Sequence, residues 1–156
     1  MADRNFEGQV TAPIAAPAEA IFELITDVER LAEWNQAIER VLERRGEVKD
    51  DEWMVMMHVP RLGRWKSRSY LQDCDRTAFR YAYRSKRDDR NPTDAQWTWD
   101  LVPGDGTTEV TVRWELHPKT FFRKVVAAPI RQRQLVREVQ ASLEAIQSAL
   151  VDVGTR

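Results

Sequence analysis

One cysteine, two histidines and no long apolar run mark this 156-residue sequence more clearly than anything it has in abundance. The lone Cys74 excludes an internal disulfide and a cysteine-rich zinc site, which suits a reducing compartment. No stretch approaches the roughly 18 apolar residues needed to cross a bilayer, so no transmembrane segment is expected. The opening MADRNFEGQV has neither the basic region nor the apolar core of a secretion signal, and a cytoplasmic protein is the expectation. Without a Gly-rich phosphate loop or a His/Asp/Glu spacing of metal type, neither nucleotide, metal nor other cofactor is expected. His58 lies on an apolar strand and reads as a packed or edge histidine, and His117, ending a strand before Pro118, reads as exposed. Cys74 stands between Asp73 and Asp75, whose charges disfavour a thiolate and make it a poor nucleophile.

Net charge is nearly missing as well, since 25 acids against 24 bases leave −1, which excludes a chain that coats nucleic acid. The total conceals a partition. Residues 1–60 hold 13 acids and 6 bases (−7), residues 61–90 hold 4 and 10 (+6), and residues 91–156 hold 8 and 8 (0). Arg61, Arg64, Lys66, Arg68, Arg76, Arg80, Arg84, Lys86, Arg87 and Arg90 supply the central excess. Lys119, Arg123, Lys124, Arg131, Arg133 and Arg137 continue it with no intervening acid.

What is present is periodicity. Phe6 to Ile14 alternates as a half-buried strand. Pro17 opens a short helix on which Ile21, Leu24 and Ile25 share a face, and Asp27 is placed to cap a second short helix through Trp34. A strand from Ile38 to Arg45 ends at Gly46, where a bulge fits. Trp53 to Val59 is apolar on both faces, so its inward side stays open. Trp65, Ser67, Ser69 and Leu71 form the inward face of the next strand. Phe79, Tyr81 and Tyr83 alternate with Arg80, Ala82 and Arg84; the arginines point inward only if that register is reversed. A polar loop is expected over 85–93. Trp97, Trp99 and Leu101 share one face, and Val110, Val112, Trp114 and Leu116 another, with Pro103-Gly104-Asp105-Gly106 as the hairpin turn between them.

Past Pro118 the period becomes 3.6, and Phe122, Val125, Ala128, Gln132, Leu135, Val139, Leu143, Ile146 and Leu150 trace one stripe of a long amphipathic helix. Pro129 kinks that helix or restarts it as a first-turn proline. The order of elements is an α+β fold of one domain, residues 1–156 with a core of about 6–151, in which six to seven antiparallel strands pack on a C-terminal helix.

Ala12-Pro13-Ile14-Ala15-Ala16-Pro17-Ala18-Glu19-Ala20-Ile21-Phe22 leading to Asp27 and Trp34, then Trp65-Lys66-Ser67, Trp97-Thr98-Trp99 and a helix with an interior proline resemble the START-like, or SRPBCC, superfamily. This is the helix-grip, Bet v 1-like fold, and the resemblance is to its polyketide cyclase/dehydrase-like branch. It implies a curved antiparallel sheet gripping the C-terminal helix around an elongated apolar cavity. It also implies a hydrophobic small-molecule ligand of polyketide, lipid or aromatic type. In the cyclases an arginine follows the Trp-x-Ser element on the inward face. Here Ser69 holds that place and Arg68 points away, which leaves enzyme activity open.

Large rings either fill a core or line a site, and polar groups on apolar inward faces need partners. Both arguments converge on Trp34, Trp65, Ser67, Ser69, Tyr81, Trp97, Trp99, Val112, Trp114, Gln132, Leu135 and Val139 as ligand-binding candidates. Ser67, Ser69, Tyr81 and Gln132 are the candidate catalytic groups should the chain be a cyclase or dehydratase. The basic surface suits an acidic carrier protein or an anionic headgroup. A protein-interaction module of the same fold and a homodimer are the remaining readings.

Overall fold

The computed structural model describes residues 6–45, 51–88, 94–117 and 128–154. Strand β1 (Phe6–Ile14) leads into helix α1 (Ala18–Thr26), a 3-10 turn (Val28–Arg30) and helix α2 (Leu31–Trp34). Six strands follow: β2 (Ile38–Arg45), β3 (Glu52–Val59), β4 (Gly63–Asp75), β5 (Arg80–Arg87), β6 (Asp94–Pro103) and β7 (Thr108–His117). Helix α3 (Ala128–Gly154) completes the chain. The seven strands form one curved antiparallel sheet in the order β1-β7-β6-β5-β4-β3-β2. Every neighbour is a sequence neighbour except β1 and β7, whose pairing sets the first strand beside the last.

Local chemistry accounts for the corners. Pro17 carries the extended backbone that precedes α1, and the Asp27 carboxylate accepts the Glu29 N–H at 3.2 Å to begin the 3-10 turn. Gly106 takes φ +70° in the β6–β7 hairpin, a conformation strained for any residue with a Cβ. The sheet's inner face, α1, α2 and α3 close one core in which Ile21, Phe22, Val110, Val112 and Ile146 are at most 1% exposed. Burying each such side chain contributes about 1.5–3 kcal/mol. Helix α3 presents Leu135, Val139, Leu143 and Ile146 to it. Its Ser142 hydroxyl takes the Gln36 N–H at 3.2 Å, which ties the helix to the loop after α2.

One sequence expectation is corrected, and the face of β3 left open by its pattern is decided. Strand β5 runs on through Ser85, Lys86 and Arg87, which pair with β4; ladder hydrogen bonds prevail over a composition that reads as loop. Pro129 lies near the start of the described part of α3; the expected stripe through Phe122 and Val125 lies outside the described residues, as does Gly46. On β3 the inner face is that of Trp53 and Val55, yet Met54 on the outer face is also only 5% exposed. It sits between Glu43 and Arg68 on the flanking strands, and long charged side chains cover apolar surface with their stems.

The outer face carries the charges. Arg68 meets Glu52 at 2.5 Å, Asp88 at 3.8 Å and Glu43 at 4.0 Å, and the Glu52 hydrogen bond raises its guanidinium above the usual value. Arg64 pairs with Glu39 and Arg44 with Glu29. Arg80 and Arg84 also point outward, to Asp100 and Asp94, so the reversed register is excluded.

Candidate functional site

Between the inner face of β3–β6 and helices α2 and α3 the packing leaves a cavity of about 480 Å³. Ligand pockets commonly measure about 300–1,000 Å³. Its walls are aromatic, because alternation on adjacent strands stacks inward positions side by side. Trp53 stacks on Tyr81 at 6.4 Å between centroids, Tyr83 on Trp97 at 6.3 Å, and Trp34 meets Trp99 edge-on at 5.4 Å. Against these rings stand Ser67, Ser69 and Ser85 from β4 and β5. Ser67 donates to the Lys86 carbonyl at 3.4 Å, and Ser85 accepts the Trp97 indole N–H at 3.2 Å.

Trp65 lies toward one end of this space, with the Arg87 guanidinium 4.9 Å and the Arg131 guanidinium 5.8 Å from its ring centroid. Arg131 is steadied by Glu138 at 2.5 Å, one turn-pair further along α3. Leu62 and Ile130, both lining the cavity, are 48% and 53% exposed. They mark where it meets the surface.

Of the twelve ligand-binding candidates, Trp34, Trp65, Ser67, Ser69, Tyr81, Trp97, Trp99, Leu135 and Val139 line the cavity. Val112 and Trp114 do not. They are 0% and 2% exposed in the closed core, where α3 packs on β1 and α1 packs on β6 and α3. The side chain of Gln132 lies outside the described residues. His58 is exposed. His117 is not, since its ring sits between Glu115 at 2.7 Å and Asp94 at 3.4 Å. Asp94, 4% exposed, reaches outward to Arg84 and His117. Among the described residues no group of three or more metal-ligating side chains occurs.

Sequence reasoning missed Tyr83, Ser85, Arg131 and Glu138 as wall residues. Tyr83 was legible, two positions after Tyr81 on the same strand face. Burial pushes the Tyr83 phenol up to about 12, opposed by the nearby Trp99 indole N–H, which stops short of hydrogen-bond geometry. The native phenol keeps its proton to about pH 12, whereas an unfolded one loses it near pH 10. Below pH 10 the two states bind the same proton and stability is unaffected; from pH 10 to 12 the unfolded state is favoured. Urea denaturation at rising pH is expected to show this group removing about 2 kcal/mol across that window. Tyr83→Phe should lose correspondingly less, and equal losses would contradict the assignment.

No curated protein sequence matches the chain. Among solved structures, a START superfamily protein from Mycobacterium smegmatis superposes with a TM-score of 0.74 at 15% identity, covering 94% of this chain and 98% of that one. The Zhui aromatase/cyclase from Streptomyces sp. R1128 gives 0.68 at 22% identity over 94% of each chain. The di-domain ARO/CYC StfQ from the steffimycin biosynthetic pathway gives 0.77 at 12% identity, covering 99% of this chain and 53% of that one. At these identities the likeness is one of fold, the helix-grip arrangement of sheet and helix. The sequence itself matches, over residues 6–151, the profile described as polyketide cyclase / dehydrase and lipid transport, and the chain belongs to that family.

Proposed function

We propose that the protein binds a hydrophobic small molecule, of polyketide, lipid or aromatic type, in the space between the sheet and α3. The observation that carries this reading is an aromatic-walled cavity of about 480 Å³ between the sheet and the helices. An apolar void of that size forgoes dispersion contacts along its lining, and a ligand restores them. The family and the fold neighbours support the same reading.

Titrating the purified chain with 1-anilinonaphthalene-8-sulfonate tests it. Saturable binding of one probe per chain in the micromolar range, with quenching of tryptophan emission because Trp65, Trp97 and Trp99 line the cavity, is the expected result. A linear, non-saturating signal would refute the proposal.

One observation favours turnover as a second reading. Two phenols, Tyr81 and Tyr83, and a guanidinium, Arg131, line the cavity together. A ketone held there could be polarised by the cation and protonated during ring closure. The cation would come from α3, not from the β4 position that Ser69 occupies. The same preparation incubated with a poly-β-ketone would then change its rate of cyclisation or its product pattern, and no change would leave binding alone.

A further inference from the structure

The hydroxyls on the cavity wall differ in what they have left to offer. Ser67 spends its proton on the Lys86 carbonyl. Ser85 instead accepts from the Trp97 indole, and its own proton has no acceptor among the described residues. Tyr83 has the Trp99 indole N–H near its oxygen, and its own proton likewise has no acceptor among the described residues. The hydroxyl of Ser69, a residue 4% exposed, makes no hydrogen bond to any described residue.

These three groups are neighbours. Ser69 and Ser85 face each other across the β4–β5 ladder, and Tyr83 follows one inward step along, opposite Leu71. One inward step along a strand is about 6.8 Å. The wall's acceptors are engaged elsewhere or enclosed: Asn35 Oδ1 takes the Ala37 N–H at 3.0 Å, Glu138 holds Arg131, and Asp94 gives Oδ2 to Arg84 and His117 while its Oδ1, without a donor among the described residues, is fully enclosed. Gln134 Oε1 has no donor but is fully enclosed, and an amide can present either end. The balance is a strip of donated protons in an apolar site. An O–H whose oxygen already accepts an N–H is polarised into a stronger donor.

We propose that the cavity selects its ligand by hydrogen-bond acceptors, carbonyl or ether oxygens on one edge of a rigid apolar ring system, which take the protons of Ser69, Ser85 and Tyr83. This rests on the reading of the cavity as a ligand site and adds the chemistry that site would recognise.

Fluorene and fluorenone share one rigid frame and differ by a single carbonyl, and each can be measured by displacement of the naphthalene probe from the full chain. Fluorenone is expected to bind about tenfold more tightly, the worth of one net hydrogen bond, although water holds it better than fluorene. Ser69→Ala and Tyr83→Phe are each expected to cut the fluorenone-to-fluorene ratio by at least about threefold. Equal binding by the unaltered protein, or a ratio that neither substitution moves, overturns the proposal and leaves an apolar site whose hydroxyls are served by water. Failure of both compounds to bind overturns the cavity reading as well.

Discussion

Replacing Trp114 by alanine is expected to cost about 3–5 kcal/mol of folding stability, the usual result of removing a large buried ring. Trp114 is 2% exposed and stands 5.9 Å from Trp97 between ring centroids. Its neighbours on β7 and β1 are held in a continuous ladder, so the wall around the deletion is poorly able to collapse. Total stabilities of about 5–15 kcal/mol make this a large share. Urea unfolding with a midpoint shift at constant slope is the measurement. Trp114 does not line the cavity but touches Trp97, which does, so probe affinity in the folded fraction should fall by less than about tenfold, a smaller effect than the loss of stability. A loss under about 1 kcal/mol would mean that the ring is not packed as described.

Ser69→Trp is expected to do the reverse. The position is 4% exposed yet borders the open space, so an indole there enters the void. Filling an existing void restores dispersion contacts with little strain. Thermal unfolding should therefore shift by no more than a few degrees, since about 1 kcal/mol moves a domain of this size by roughly 2–8 °C. Affinity for the naphthalene probe should fall at least tenfold, about 1.4 kcal/mol or more. Unchanged affinity would place the bound probe elsewhere on the protein. The two substitutions together separate the closed half of the interior from the open half.

That separation is the part of the site the sequence could not supply. Alternation identifies which residues of β6 and β7 face inward, and it does so correctly for Trp97, Trp99, Val112 and Trp114. Whether an inward residue meets a void or a neighbour depends on where the helices cross the sheet. Trp99 lines the cavity and Val112, its partner across the ladder, does not. No local pattern carries that difference. The order of elements was legible because each obeys its own period and its own caps, as with Asp27 and the hairpin at Gly106. Strand β3 was legible as a strand but not as a face, since ion-paired side chains from β2 and β4 shield Met54. His117 read as exposed because nothing near it in sequence announces Asp94, which arrives from the neighbouring strand.

The ion pairs on the outer face also bear on how the edge of the sheet stays aligned. Strand β2 has one free edge and two irregularities in its ladder with β3, between Ile38 and Arg40 and between Val41 and Glu43. A slip of one residue along such an edge turns every side chain to the opposite face. Glu39 and Glu43 reach over β3 to Arg64 and Arg68 on β4. A slipped β2 would carry Glu43 to the apolar side and bring Arg44, now opposite Trp53 on the inner face, toward arginines of like sign. The acidic and basic blocks of the sequence thus act as a two-strand alignment key, in which opposite charges two strands apart reward one register and penalise the next. Such a key works through exposed charges, so its grip loosens as ionic strength rises.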